Sequence, residues 1–142
     1  MHDLAASVRN VLASAPSVAA AWIFGSMARG DVRDDSDLDV AILLRDPTST
    51  AASESEELLQ LAAMLEKAAG RAVDVVVLGL MDPIIAHRVL SEGTLVFDED
   101  PDRRIDFTSD VLSRYLDWAP LYEATAARSL DANRAWARGK GS

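Results

Sequence analysis

Gly25-Ser26-Met27-Ala28-Arg29-Gly30-Asp31-Val32-Arg33-Asp34-Asp35-Ser36-Asp37-Leu38-Asp39-Val40 joins two apolar segments of the chain through a polar, glycine- and aspartate-rich turn. It begins where a short apolar run, Val18-Ala19-Ala20-Ala21-Trp22-Ile23-Phe24, ends, and that run suits a buried strand delivering the chain into a turn. It ends inside a second apolar run, Asp37 to Leu44, which reads as another strand opened by two acids with one residue between them. On a strand, positions i and i+2 face the same way, with α-carbons about 6.5–7 Å apart. Leu38, Val40, Ile42 and Leu44 then point to the opposite face, so the carboxylates of Asp37 and Asp39 stay clear of that apolar row.

The chemistry of this pattern follows from distances. Paired catalytic metals sit about 3.5–4 Å apart, with Mg²⁺–oxygen bonds of about 2.1 Å. Two aspartates leaning together from one strand can therefore share a metal pair. Gly25 and Ser26 lie between a strand and a predicted helical turn at Met27-Ala28-Arg29, where free backbone N–H groups make an anion site. Glycine lets a phosphate approach the backbone, the Ser26 hydroxyl can donate to it, and Arg29 can supply a bidentate cation or a surface ion pair. A nucleoside triphosphate bridged to metal by Asp37 and Asp39 uses all of these groups together. Asp74, one residue into the apolar run Val73-Asp74-Val75-Val76-Val77-Leu78, is a third acid on a strand. There it can bind metal, serve as base for an attacking hydroxyl, or cap a helix and pair with Arg71.

Composition narrows the alternatives. The 142 residues suit one domain, 1–142, and a hydrophobic content of 49% is enough to close a core. Fourteen Lys and Arg against 23 Asp and Glu give a net charge of −9, which opposes a hold on a phosphate backbone, so no direct nucleic-acid partner is expected. Without cysteine, thiolate catalysis and cysteine-ligated metals are excluded, and His2 and His87 are too few and too separate for a histidine site. A carboxylate site for Mg²⁺ is the remaining reading. No leader-like or membrane-spanning apolar run occurs, so a cytoplasmic protein with no membrane partner is expected. Neither Gly-x-Gly-x-x-Gly nor Gly-Lys-Ser/Thr is present, which removes the usual rival phosphate-binding folds.

Outward from the central stretch, helices are expected at about 3–14, 53–69 and 83–91. Leu4, Val8, Val11 and Leu12 mark the first by their spacing, Gly70 stops the second, and Asp82-Pro83 starts the third as N-cap and first helical residue. Strands are expected at 73–78 and 94–97, followed by an acidic loop from Asp98 to Asp102. From about 103 to 138 the pattern is helical and is interrupted by Pro120, so two helices or one kinked helix should follow a core of about 1–100. Phe107, Val111, Tyr115 and Trp118, with Leu112 and Leu116 beside them, make a broad stripe that either covers the sheet or meets a partner. The alternation of elements implies an α/β fold, a small mixed sheet flanked by helices with a C-terminal helical extension.

These residues resemble a known family. Gly25-Ser26, ten residues, then Asp37-Leu38-Asp39 is similar to the signature of minimal nucleotidyltransferases of the polymerase-β-like superfamily, and Ala28-Arg29-Gly30-Asp31 with Ser36 to Val40 resembles its extended form. The resemblance implies the polymerase-β-like core, Asp37 and Asp39 on two Mg²⁺ ions with ATP, Gly25 and Ser26 on the nucleotide phosphates, and Asp74 as the third catalytic and metal-binding acid. In size and C-terminal pattern the chain also resembles the antitoxin of HEPN/MNT toxin–antitoxin systems. Members of that family transfer AMP from ATP to a tyrosine of the HEPN toxin. This implies a HEPN-type protein partner, with a homo-oligomer also open. A transferase for a small hydroxylated molecule of the aminoglycoside type, and an antitoxin that acts by binding alone, are the alternatives. The first would need a second pocket wall from dimerisation, and the second has no chemical need for three acids.

Overall fold

In the computed structural model, which describes residues 2–25, 37–46 and 51–140 and the side chains of 4–25, 37–46 and 56–121, the apolar runs become a four-stranded mixed sheet. Its strands are β1 (Val18–Phe24), β2 (Leu38–Leu44), β3 (Val73–Val77) and β4 (Thr94–Asp98), in the order β3-β2-β1-β4. β1 runs antiparallel to both β2 and β4, and β2 runs parallel to β3. A parallel pair needs a crossover, and α2 (Ala51–Ala69) provides it. The remaining helices are α1 (His2–Leu12), α3 (Pro83–Glu92) and α4 (Pro101–Lys140), with a single 3₁₀ turn at Leu78–Leu80 after β3. This is the α/β arrangement expected from the order of elements, a small mixed sheet flanked by helices, with a C-terminal helical extension.

Both faces of the sheet are covered, so strand alternation sorts side chains into two cores. Leu38, Val40 and Ile42 of β2 join Val8 and Leu12 of α1 and Leu61 and Leu65 of α2 on one face. Ala41 and Leu43 join Trp22, Leu78, Ala86, Val89 and Val111 on the other, beneath α3 and α4. The carboxylate-bearing face of β2 is therefore apolar beyond its first residue and is not a free polar surface. In β1 a register shift between Val18 and Ala20 turns Ala19 and Ala20 together toward the second core. Such a bulge leaves a residue unpaired in the ladder, and the Ala19 carbonyl accepts from the N–H groups of Glu99 and Asp100 at 2.8 and 3.2 Å.

Local signals explain most boundaries. Gly70 ends α2 at φ +70°, its N–H donating to Glu66 O at 2.8 Å. Asp82 caps α3 by accepting from Ile85 N–H at 2.9 Å, with Pro83 next. Asp82→Ala should cost about 1 kcal/mol. In urea its unfolding midpoint should fall with an unchanged slope, whereas a changed slope would indicate an effect on more than this cap.

The C-terminal part differs from expectation at its start. The acidic segment is not a loop up to Asp102: Asp100 accepts from Arg103 N–H at 3.1 Å and caps α4, which begins at Pro101. That is the same Asp-Pro chemistry as at α3. Of the two forms expected after it, two helices or one interrupted by Pro120, the single helix is present: α4 continues through Pro120 to Lys140. The acid-led strand also starts one residue later than expected, at Leu38, leaving Asp37 just outside it.

Candidate active site

Three strand ends meet at one end of the sheet: the C-terminus of β1 and the N-termini of β2 and β3. There the register places Phe24 opposite Asp39 and Asp39 opposite Asp74, so the three residues stand abreast on neighbouring strands. Adjacent strands are about 4.8 Å apart, which puts the two acids within reach of one ligand. Alternation gives them a common face. Asp39 lies between Leu38 and Val40 of the first core, and Asp74 between Val73 and Val75, so both acids belong to the α3/α4 face. Asp39 is half-buried, while Asp74 and Asp37 are exposed. Leu38 N–H donates to Ala72 O at 2.9 Å, fastening the start of β2, beside Asp37, to the approach to β3.

Gly25 closes the arrangement from above. Its φ of +74° is a left-handed conformation that side chains disfavour, and a Cβ built there would overlap the Asp39 carboxylate. The turn after β1 therefore lies directly on the acid, with room for glycine alone. Ser26, Arg29 and the turn at Met27-Ala28-Arg29 lie outside the described residues, so their expected phosphate contacts are carried forward as proposals.

Two neighbours were not anticipated as part of this end of the sheet. Phe24 flanks Asp39 on β1 and packs on the second core. Gly93 also brings the end of α3 against β1: a Cβ on it would lie 2.5 Å from Val89 O and 3.2 Å from Ile23 O. A glycine after a helix is ambiguous between a stop and a close approach, and only the fold separates the two. The His87 ring on α3 is stacked on Tyr115 of α4, with centroids 3.6 Å apart and an interplanar angle of 5°.

A divalent cation fits this donor set in kind. All the side chains are hard oxygen ligands, and Gly25 leaves a cradle beside Asp39 that any side chain would fill. Among the described residues, no group of three or more His, Cys, Asp or Glu side chains is gathered closely enough to enclose an ion. Mg²⁺ does not require such a cage, since it is commonly held by one or two carboxylates with substrate phosphates and water completing its octahedron.

Sequence comparison gives this geometry its family. The profile described as polymerase beta, nucleotidyltransferase matches residues 6–102, spanning every strand and the Gly25, Asp37, Asp39 and Asp74 positions. The chain belongs to the polymerase beta nucleotidyltransferase family. In a separate comparison, no curated protein sequence matches it significantly. Among solved structures, this nucleotidyltransferase is similar to a toxin–antitoxin crystal structure with AMP-PNP, at a TM-score of 0.70 and 22% identity over 89% of this chain and 98% of that one. It is similar to the MntA-HepT toxin–antitoxin structure at a TM-score of 0.65 and 20% identity, covering 92% and 99% of the two chains. A tri-AMPylated Shewanella oneidensis HEPN toxin in complex with MNT antitoxin matches with a TM-score of 0.65 and 20% identity, covering 89% and 96%. At these identities the likeness is one of fold, and it extends beyond the profile into α4. Among the described residues, no helix is long and apolar enough to cross a membrane.

Proposed function

We propose that this nucleotidyltransferase transfers AMP from ATP to a tyrosine hydroxyl of a HEPN-type toxin in the cytoplasm and thereby acts as its antitoxin. The observation that carries the reading is the register of Asp39 against Asp74 beneath the left-handed Gly25 turn. It is supported by the fold shared with toxin–antitoxin structures, one of them with AMP-PNP and another with an AMPylated toxin.

In this reading Gly25 and Ser26 hold the nucleotide phosphates, with Arg29 available to the same anion. The attacking tyrosine oxygen forms a bond to the α-phosphorus as the bond to pyrophosphate breaks, and Asp74 takes the hydroxyl proton. Asp37 and Asp39 would hold Mg²⁺, joined by Asp74, and the bound ion supplies charge neutralisation for the phosphate oxygens. Half-burial of Asp39 limits competition from water at its carboxylate, whereas the exposed Asp74 stays open to an incoming protein hydroxyl.

The test is co-expression with a HEPN-type toxin, followed by intact mass measurement of that toxin. The expected result is a mass increase of one or more AMP units, dependent on ATP and Mg²⁺. A toxin that is neutralised without gaining mass would replace this function by binding alone. A mass gain on a hydroxylated small molecule, and none on the toxin, would assign the enzyme to the alternative substrate class.

A further inference from the structure

The C-terminal helix divides its apolar residues between an inner and an outer row. Val111 is buried in the second core, Phe107 packs against it, and Tyr115 stacks on His87, so this part of the sequence stripe covers the sheet and α3. Ile105, Leu112 and Leu116 are left outside at 51%, 46% and 64% exposure. They recur at i, i+7 and i+11 and therefore form one ridge. Beside it, Asp102, Asp106, Asp110 and Asp117 form a second exposed row at i, i+4, i+8 and i+15. The exposed serines Ser109 and Ser113 lie between the rows, small enough for another backbone to come close.

The cations of this segment pair with one member of the acidic row, Asp110. Arg103 donates to Leu44 O at 3.1 Å and Arg104 pairs with Asp98 at 3.0 Å, both facing the body of the domain. Arg114 is paired with Asp110 at 3.2 Å, which leaves Asp102, Asp106 and Asp117 as the charged shoulder of the ridge. A second copy of this chain would set acid against acid, adding to a net charge of −9 on each, and an anionic lipid surface is opposed for the same reason. An amphipathic helix with Lys or Arg beside its apolar stripe has neither conflict.

We propose that the outer ridge of α4, Ile105, Leu112 and Leu116 with Asp102, Asp106 and Asp117, docks a basic-flanked amphipathic helix of the toxin partner. The inference rests on the toxin-directed function argued above and adds the surface by which the acceptor is held. Catalysis and capture are then separate devices, one at the sheet end and one on the outside of α4.

The experiment measures the affinity of the full chain for a HEPN-type toxin that it modifies, at low and high salt, together with thermal melts and light scattering. Leu112→Glu with Leu116→Glu should weaken capture by at least about tenfold, as expected for losing central apolar anchors, with the melt unchanged because both side chains are exposed. Asp106→Lys with Asp117→Lys should also weaken capture and flatten its salt dependence, a readout that survives if the leucine variant is poorly folded. Leu59→Glu, 72% exposed on α2 across the sheet, should bind as the parent does. If the parent captures and modifies the toxin and both α4 variants capture it equally well, the docking surface is wrong and the adenylyltransferase function stands. If the parent neither captures nor modifies the toxin, both fall. If the leucine variant instead converts a parent dimer to a monomer, the ridge belongs to a second copy and the proposal is overturned.

Discussion

Asp39→Asn is expected to abolish nucleotide transfer while leaving a folded protein. The side chain is half-buried at the start of β2, beside Asp74 and under Gly25, and the amide preserves its shape while removing its charge. A metal-bound carboxylate supports several kcal/mol of transition-state charge stabilisation, on the order of a thousandfold in rate. The neighbouring apolar residues Leu38 and Val40 pack elsewhere, so the loss of stability should stay within about 1 kcal/mol. Steady-state transfer and a thermal melt together check the prediction. Transfer at the parent rate would remove Asp39 from the mechanism, and a collapse of the melt would make its role structural. Asp74→Asn should cost roughly a hundredfold to ten-thousandfold if it serves as the base.

Gly25→Ala is the second large expected effect, and Gly70→Ala is its internal control. Both glycines have left-handed backbones, at φ +74° and +70°. A side chain in that conformation costs roughly 1–2 kcal/mol by itself. At Gly70 nothing lies within 4 Å of the added Cβ, so the variant should lose about that much stability and keep full transfer. At Gly25 the added methyl overlaps the Asp39 carboxylate, which must move to accommodate it. Gly25→Ala should therefore lose at least as much stability and most of its transfer, with Mg²⁺-dependent ATP binding weakened in calorimetry. If the two variants behave alike in both assays, the turn is merely strained and does not set the position of the acid.

Much of the fold was legible because the signals were local. Short apolar runs locate the strands and period-3.6 patterns the helices, and Asp82-Pro83 and Gly70 mark helix boundaries by their own hydrogen bonds and backbone angles. The start of α4 was equally legible, since Asp100-Pro101 repeats the cap at α3, but the density of acids around it suggested a loop. The stripe on α4 was ambiguous for a different reason. Periodicity identifies an apolar face, yet which part is covered depends on where α3 ends and how far the helix runs past it. Trp118, in line with Val111 and Tyr115 by spacing, is 58% exposed for that reason.

The family was legible in residue type and spacing alone: a Gly-Ser pair after one apolar run and two acids with one residue between them at the next. The juxtaposition of Asp39 with Asp74 is a tertiary matter, because 35 positions separate them and only the parallel register of β2 and β3 brings them abreast. The same holds for the contact between Gly25 and Asp39, which the antiparallel pairing of β1 with β2 creates. Local sequence specifies how a strand alternates and where a helix is capped. Which strands become neighbours, and at what register, is decided by the simultaneous burial of both faces of the sheet, to which residues far apart in the chain contribute together.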